Sequence, residues 1–413
     1  MTTTRTKPTA ANSMATPRMP GMPNPNWAQL PLFDRSKWET VRFGDVVALV
    51  SDTSRNPEAE GITRFIGMEH LEPGSLHIKT WGELVDGVTF TKRCRKGQVL
   101  FGKRRAYQRK VAIAEFDAVV SGDIYVFQAK EELLDPKLLP FLCMSERFFQ
   151  FAVETSAGSL SPRTNWSHLK GFEFALPPLD QQRRIAELMW AYDDAATALD
   201  EVAIGVMSAE AALVRSLTDE EAWAKWDAEQ ILECVDVVSG QVNPRKEPYH
   251  SMVLVAPNHI EQGTGRLLLT ETAKEQAAIS GKYLFAPGDV VYSKIRPNLR
   301  KAVIVDFEGL CSADMYALRP RIGKLEARYL LAILLGEHFT AFAQERCVRT
   351  GIPKINRTEL AEYSLPVPPI EEQRSICDQL NRIDAAAEAS RIHRRNLSGV
   401  QTSILNSLFK AKA

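Results

Sequence analysis

The stretch Gly288-Asp289-Val290-Val291-Tyr292-Ser293-Lys294-Ile295-Arg296-Pro297 answers, 191 positions on, to Gly97-Gln98-Val99-Leu100-Phe101-Gly102-Lys103-Arg104-Arg105-Ala106. The register continues without a gap. Arg109 and Lys110 fall on Arg300 and Lys301, Phe116 on Phe307, Asp123 on Asp314, Tyr125 on Tyr316, Pro162 on Pro353 and Asn165 on Asn356. It ends in Pro178/Pro369, Gln182/Gln373 and Ile185/Ile376. Upstream of Gly97 the copies drift by two, so that His70-Leu71-Glu72 lies opposite His259-Ile260-Glu261. A period this long marks a duplicated domain and not a solenoid unit, so two similar modules with two similar surfaces are expected.

Each copy opens as short β-branched and aromatic runs between Gly-containing turns, which predicts strands at Val46 to Val50, Val99 to Phe101, Val111 to Ala114 and Ile124 to Phe127. A helix is expected next, about Pro136 to Val153 in the first copy and Leu325 to Glu345 in the second. Each copy closes on a Pro-Pro stop and a long amphipathic stretch. After Pro177-Pro178, Ile185, Leu188, Tyr192, Ala195, Leu199, Val202, Val206, Ala209 and Leu213 step by three and four, as in a coiled-coil seam. After Pro368-Pro369, Ile376, Ile383, Ala386, Leu397, Val400 and Ile404 keep that step, with Ser390 and His393 interrupting its middle. The fold class expected is mixed α/β: two duplicated α/β domains separated by two long helices in an antiparallel coiled coil. The expected division is a disordered tail at 1–36, a recognition domain at 37–178, a central helix at 179–218, a second domain at 219–369 and a C-terminal helix at 370–413.

The first 33 residues carry Pro8, Pro17, Pro20, Pro23, Pro25 and Pro31, which oppose helix propagation, and no acid precedes Asp34. Arg5, Lys7 and Arg18 are too few for a basic arm. No apolar run approaches the roughly 20 residues that span a bilayer, and no hydrophobic signal segment opens the chain. The expected location is the cytoplasm, without membrane contact. The six cysteines form no CxxC pair, which suits reduced thiols in packing roles. Lys+Arg and Asp+Glu each total 51. Any case for a polyanionic partner must therefore be local.

It is local. From Lys92 to Lys110 the first copy carries nine basic residues and no acid. Lys103, Arg104, Arg105, Tyr107, Arg109 and Lys110 are the DNA-contact candidates there, matched by Lys294, Arg296, Asn298, Arg300 and Lys301. A charge run by itself is usually a solvated face; recurrence at matched positions is what favours a functional role. A second pair of candidate loops is Arg163, Asn165 and Trp166 against Lys354, Asn356 and Arg357. Arg forks onto guanine and Asn onto adenine, but an Asn here serves equally well as cap of the helical turn that follows. His70 and His259 read as structural hydrogen-bonders. There is no phosphate loop, no metalloprotease HExxH and no Asn/Asp-Pro-Pro-aromatic tetrapeptide of the amino-methyltransferase kind, so no catalytic or metal residue is assigned. A ladder or turn role is expected for Asp123 and Asp314.

Over about 37–411 the chain resembles the specificity subunits of type I restriction-modification systems. The resemblance rests on Leu176-Pro177-Pro178-Leu179-Asp180-Gln181-Gln182-Arg183-Arg184-Ile185, on Pro368-Pro369-Ile370-Glu371-Glu372-Gln373-Arg374-Ser375-Ile376, each opening a long helix, and on the strand Gly288 to Pro297. It implies two target-recognition domains reading the halves of a split double-stranded DNA site. It also implies helices that dock two adenine-specific methyltransferase subunits, in a complex completed by restriction/translocase subunits. No cofactor is expected on this chain; S-adenosylmethionine, ATP and Mg would belong to the partners. The rival reading is a coiled-coil scaffold or adaptor without DNA contact. Where the first copy has Phe101 to Ala106 and the second Tyr292 to Pro297, the side chains differ, which fits different half-sites.

Overall fold

The structure, a computed structural model, describes residues 34–86, 89–347 and 352–409. Of the tail expected at 1–36, residues 1–33, with Arg5, Lys7 and Arg18, lie outside the described residues. The chain divides into two compact units, one running to Asp200 and resuming at Ile392, the other Glu201–Arg391.

In the first unit an antiparallel sheet orders its strands as Val47–Val50, Ile124–Ala129, Val99–Gly102 and Val111–Ile113. Alternate side chains leave a strand on opposite faces, and here both faces are covered. Val99, Phe101 and Phe127 enter a core shared with helices, while Leu100, Ala112 and Val126 enter a second core. That second core is completed by another sheet, ordered Gly82–Glu83, Arg64–Ile66, Ala118–Val120 and Lys92–Cys94. Burial on both faces is why these strands read as continuous apolar runs.

The second unit repeats the plan. Its first sheet is Val235–Val237, Met315–Pro320, Val290–Ser293 and Ala302–Ile304, and its second is Gln241–Val242, Lys282–Phe285, Gly309–Cys311 and Leu254–Val255. Each second sheet holds one parallel pair, Phe65 and Ile66 on Val119 and Val120 in one unit, Leu254 and Val255 on Leu310 and Cys311 in the other. All six cysteines are buried.

The single helix expected in each copy is two. Leu139–Met144 and Glu146–Glu154 meet at Ser145, and Ala327–Leu335 and Glu337–Arg346 meet at Gly336. Both junction residues are extended, and the Ser145 hydroxyl accepts from the Phe148 N–H, so a cap interrupts an apolar pattern that periodicity alone would run through.

The Pro-Pro stops lead into helices Leu179–Ser216 and Ile370–Leu408. A glutamine anchors each. Gln182 is 1% exposed; its Nε2 donates to the carbonyls of Pro177 (2.8 Å) and Leu133 (3.0 Å), and its Oε1 accepts from Asp135 N–H (2.8 Å). Gln373, 0% exposed, does the same with Pro368, Lys324 and Glu326. The motif glutamines are therefore structural clamps that dock a helix start on its module.

The seam differs from the expected one. Beyond the helix start, where the expected Leu188 is half-buried beside Ile185 and Met189, the inward positions of the central helix include Tyr192, Ala196, Leu199, Ala203, Val206, Glu210 and Leu213, while Ala195, Val202 and Ala209 face out. In the C-terminal helix Ala387, Ser390 and Arg394 take the seam, and Ala386 and His393 do not. Both possible seams share Ile185, Tyr192, Leu199, Val206 and Leu213, so apolarity could not separate them. Charge pairing does. In the second unit Glu210 and Asp384 both meet Arg328, at 3.6 and 2.9 Å. Within the first unit Ile185 and Met189 share a core with Ile404 and Leu408, and Asp200 pairs with Arg394 at 3.1 Å; one helix advances as the other retreats, so they run antiparallel. In the second unit Leu213 and Leu217 meet Ile376 and Leu380 in the same opposed sense.

Candidate nucleic-acid interface

In each module the basic stretch leaves the strand Val99–Gly102 or Val290–Ser293, makes one helical turn and returns as Val111–Ile113 or Ala302–Ile304. The turn is bracketed by arginines in the left-handed region, Arg105 (φ 52°) and Arg109 (φ 56°) in one copy, Arg296 (φ 49°) and Arg300 (φ 44°) in the other. A side chain there costs about 1–2 kcal/mol per residue. Strain kept twice at matched arginines points to a functional constraint. Nothing in the sequence signals it, since these positions hold neither Gly nor Asn.

The two loops that the sequence offers separately form one surface. Arg105 N–H donates to Pro162 O (2.7 Å) and Thr164 N–H to Lys103 O (3.0 Å); Arg296 N–H donates to Pro353 O (2.8 Å) and Ile355 N–H to Lys294 O (3.0 Å). Arg104 bridges Arg163 as Ile295 bridges Lys354. The backbones coincide while the side chains differ. In the first module Asp123 gathers the cations, accepting from Arg163 Nε (2.8 Å) and Nη2 (3.4 Å) and from Arg104 Nη1 (3.4 Å). The Arg163 guanidinium holds the Asp123 carboxyl below its ordinary range. Ser161 Oγ accepts from Arg104 (3.0 Å) and Arg105 (3.5 Å). Asp123 and Asp314 also sit in the expected turns, their N–H groups donating to Ser121 and Ser312 Oγ.

In the second module Ile295 replaces Arg104, and Arg296, Asn298, Lys354 and Arg357 are exposed. Lys294 is buried over the Tyr316 ring (4.9 Å), as Lys103 lies over Tyr125 (5.0 Å). Burial, and then Lys354, push the Lys294 ammonium below its usual pKa. Lys92, at the start of strand Lys92–Cys94 in the first module, is pushed by burial and by Lys103 to about 8. Tyr107 is exposed on its turn.

Several candidates also make contacts within their own module. Lys110 Nζ donates to Met68 O and Lys301 Nζ to Pro257 O, each at 2.7 Å, tying the loop's end to the short helical turns Met68–His70 and Pro257–His259. Arg109 is held by Glu146 and lies over Phe149, and Arg300 reaches Leu335 O at 3.5 Å. The half-buried Trp166 ring packs on Phe43 and Phe127 at the core. Asn356 is a capping-box residue, its side chain accepting from Glu359 N–H (2.9 Å), whereas Asn165 stands at the equivalent cap with no side-chain cap bond. Of the two asparagines, only Asn356 takes the capping alternative with its side chain. His70 and His259 accept through Nδ1 from Gly67 N–H (2.9 Å) and Ala256 N–H (3.3 Å), as expected of structural histidines.

Two copies of one α/β module thus present matched basic loops in different side-chain settings. The family described as "Type I restriction modification DNA specificity domain" matches residues 35–204 and 243–396, and the chain belongs to it. It is a specificity component and not a catalytic one. The chain is 35% identical over 173 residues to the type I restriction enzyme EcoDI specificity subunit of Escherichia coli, a match covering 42% of this chain and 37% of that one. It is 21% identical over 416 residues to the MjaVIII specificity subunit of Methanocaldococcus jannaschii, covering 91% and 92%. Among solved structures, the S subunit from M. genitalium aligns with a TM-score of 0.62 at 13% identity, covering 93% of this chain and 99% of that one. A chain from a structure titled for complex assembly and conformational transition of the type I R-M system aligns with a TM-score of 0.57 at 20% identity, covering 90% and 97%. These likenesses support the fold. No helix among the described residues is long and apolar enough to cross a membrane.

Proposed function

We propose that this chain reads a split, asymmetric site on double-stranded DNA, one half-site per module, for a type I restriction-modification complex. The observation that carries the reading is the pair of matched loop platforms, Lys103 to Arg109 with Pro162 to Thr164 and Lys294 to Arg300 with Pro353 to Ile355, with the same backbone bonds and different side chains. Equal backbones give equal approaches to a groove; unequal side chains select different bases. Arg104, Arg105, Arg163 and Asn165 serve one half-site, and Arg296, Asn298, Lys354 and Arg357 the other. The modules are residues 37–178 and 219–369.

The helices at 179–218 and 370–413 dock two adenine-specific methyltransferase subunits, which restriction/translocase subunits join. Val202, Ile204 and Met207, apolar yet exposed on the central helix, support a docking role. S-adenosylmethionine, ATP and Mg are held by those partners, in the cytoplasm. Mapping methylated adenines in cells that express this chain with its methyltransferase partner tests the reading. A split, non-palindromic motif is expected; a continuous or palindromic one overturns it.

A further inference from the structure

In the first unit the His77 imidazole stands between two carboxylates. Its Nε2 lies 2.7 Å from Asp193 Oδ2 and its Nδ1 3.2 Å from Glu115 Oε1. Carboxylates only accept, and a neutral imidazole carries one N–H, so both contacts are hydrogen bonds only when the ring is protonated on both nitrogens. These are the charged groups that face the ring. On its own segment Lys79 is engaged by Glu72, and the His77 N–H donates to Ser75 Oγ. Burial pushes the His77 pKa down, but the bonds to Asp193 and Glu115 and their charges outweigh it, leaving it above its ordinary value.

The location matters for the loop above. Strand Val111–Ile113 continues the basic loop, and the segment carrying His77 lies along it: Pro73 bridges Lys110, and Ile113 N–H donates to Leu76 O at 2.9 Å. Glu115 follows that strand directly, and Asp193 is on the central helix. The ring therefore ties the edge of the reading loop's own hairpin to the helix. In the register that pairs His70 with His259, the counterpart of His77 is Arg266. Arg266 is engaged by Glu261, and its Nη1 lies 3.6 Å from Glu388 Oε2 on the C-terminal helix. The second unit makes the same kind of link with a cation that does not titrate.

We propose that His77 is a positioning residue for the first module's reading loop, a latch that holds the hairpin to the central helix only while the imidazole is protonated, whereas Arg266 holds the second module at any working pH. The sign follows from the raised value. The latch is complete below the unfolded histidine's pKa of about 6.5 and is released as pH rises through the folded value. The binding arm of the test rests on the DNA-reading function above; the titration arm does not.

Two measurements on the full chain decide it. Imidazole titration by NMR, with His77→Gln assigning the signal, is expected to give His77 an apparent pKa above the ordinary value, and Asp193→Asn to bring it back down. DNA affinity of the chain with its methyltransferase partner, on the mapped motif from about pH 6 to about pH 9, is expected to fall several-fold more for the parent than for His77→Arg. His77→Gln should bind weakly at both ends of that range. An imidazole titrating at or below its ordinary value, or superimposable pH profiles for parent and His77→Arg, overturns the latch. If no form binds DNA, the DNA-reading function fails while the titration still decides the latch.

Discussion

Arg163 grips Asp123 with two nitrogens, Nε to Oδ1 at 2.8 Å and Nη2 to Oδ2 at 3.4 Å, across 40 positions of sequence. The pair fixes where the Arg163 guanidinium is presented on the first module and offsets part of its charge with the carboxylate. Asp123→Asn should therefore raise non-specific affinity for DNA while lowering discrimination at one half-site, by up to roughly 1–3 kcal/mol per base contact loosened. Competition binding against scrambled DNA checks this. An unchanged specificity ratio would mean that the pair does not orient a base reader.

The same carboxyl gives a pH signature. Its folded pKa is depressed, chiefly by the hydrogen bond from Arg163, so its contribution to stability is present above the unfolded value of about 3.9 and is lost as pH falls through the folded value. Acid unfolding followed by circular dichroism should show the parent's advantage over Asp123→Asn shrinking as pH falls through that range. A gap that stayed constant down to acid pH would contradict the assignment.

Gln182 and Gln373 each satisfy three backbone groups at a helix start, one buried and two partly buried. Replacing either by Leu strands two carbonyls and one N–H, and an unsatisfied buried group costs about 1–3 kcal/mol. Either variant should lower the denaturant midpoint markedly. If Gln182→Leu and Gln373→Leu unfold like the parent, the clamps are incidental.

Salt dependence separates readers from braces. Arg105→Ala with Arg163→Ala, and Arg296→Ala with Lys354→Ala, should each weaken binding through one half-site, and the salt slope should drop by about 1 for each phosphate contact removed. Lys110→Met and Lys301→Met should leave that slope unchanged and reduce stability, because their ammonium groups are spent on the carbonyls of Met68 and Pro257. A lower slope in the Lys→Met variants would return those lysines to the interface.

Each long helix runs unbroken for 38 or 39 residues. On the proposed function their length sets the spacer between half-sites. Deleting one heptad from each, Leu199 to Gly205 with Ser390 to Asn396, keeps the seam in phase and shortens the helices by roughly 10 Å, about three base pairs. The methylation motif of an active variant should contract in its spacer and keep both half-site sequences. A spacer of parental length would show that the helices do not measure distance.

Sequence by itself determined the duplication, and with it the four strands of each module's first sheet, the Pro-Pro stops and the two helices, because apolar periodicity and turn residues are local signals that a second copy makes unmistakable; the short strands of the second sheet carried no such signal. It also located both basic loops. Which of their residues face outward was decided by tertiary structure: Lys110 and Lys301 look like phosphate binders until carbonyls more than 40 positions away claim them. Asn165 and Asn356 occupy one motif position, yet only the second caps its helix with its side chain, since a Glu stands three residues on to close the box. The seam shows the limit most plainly. Two heptad registers shared every other position, and the choice of Ala196 and Glu210 over Ala195 and Ala209 fell to the packing of the partner helix and to Arg328, neither of which is written in the helix's own sequence.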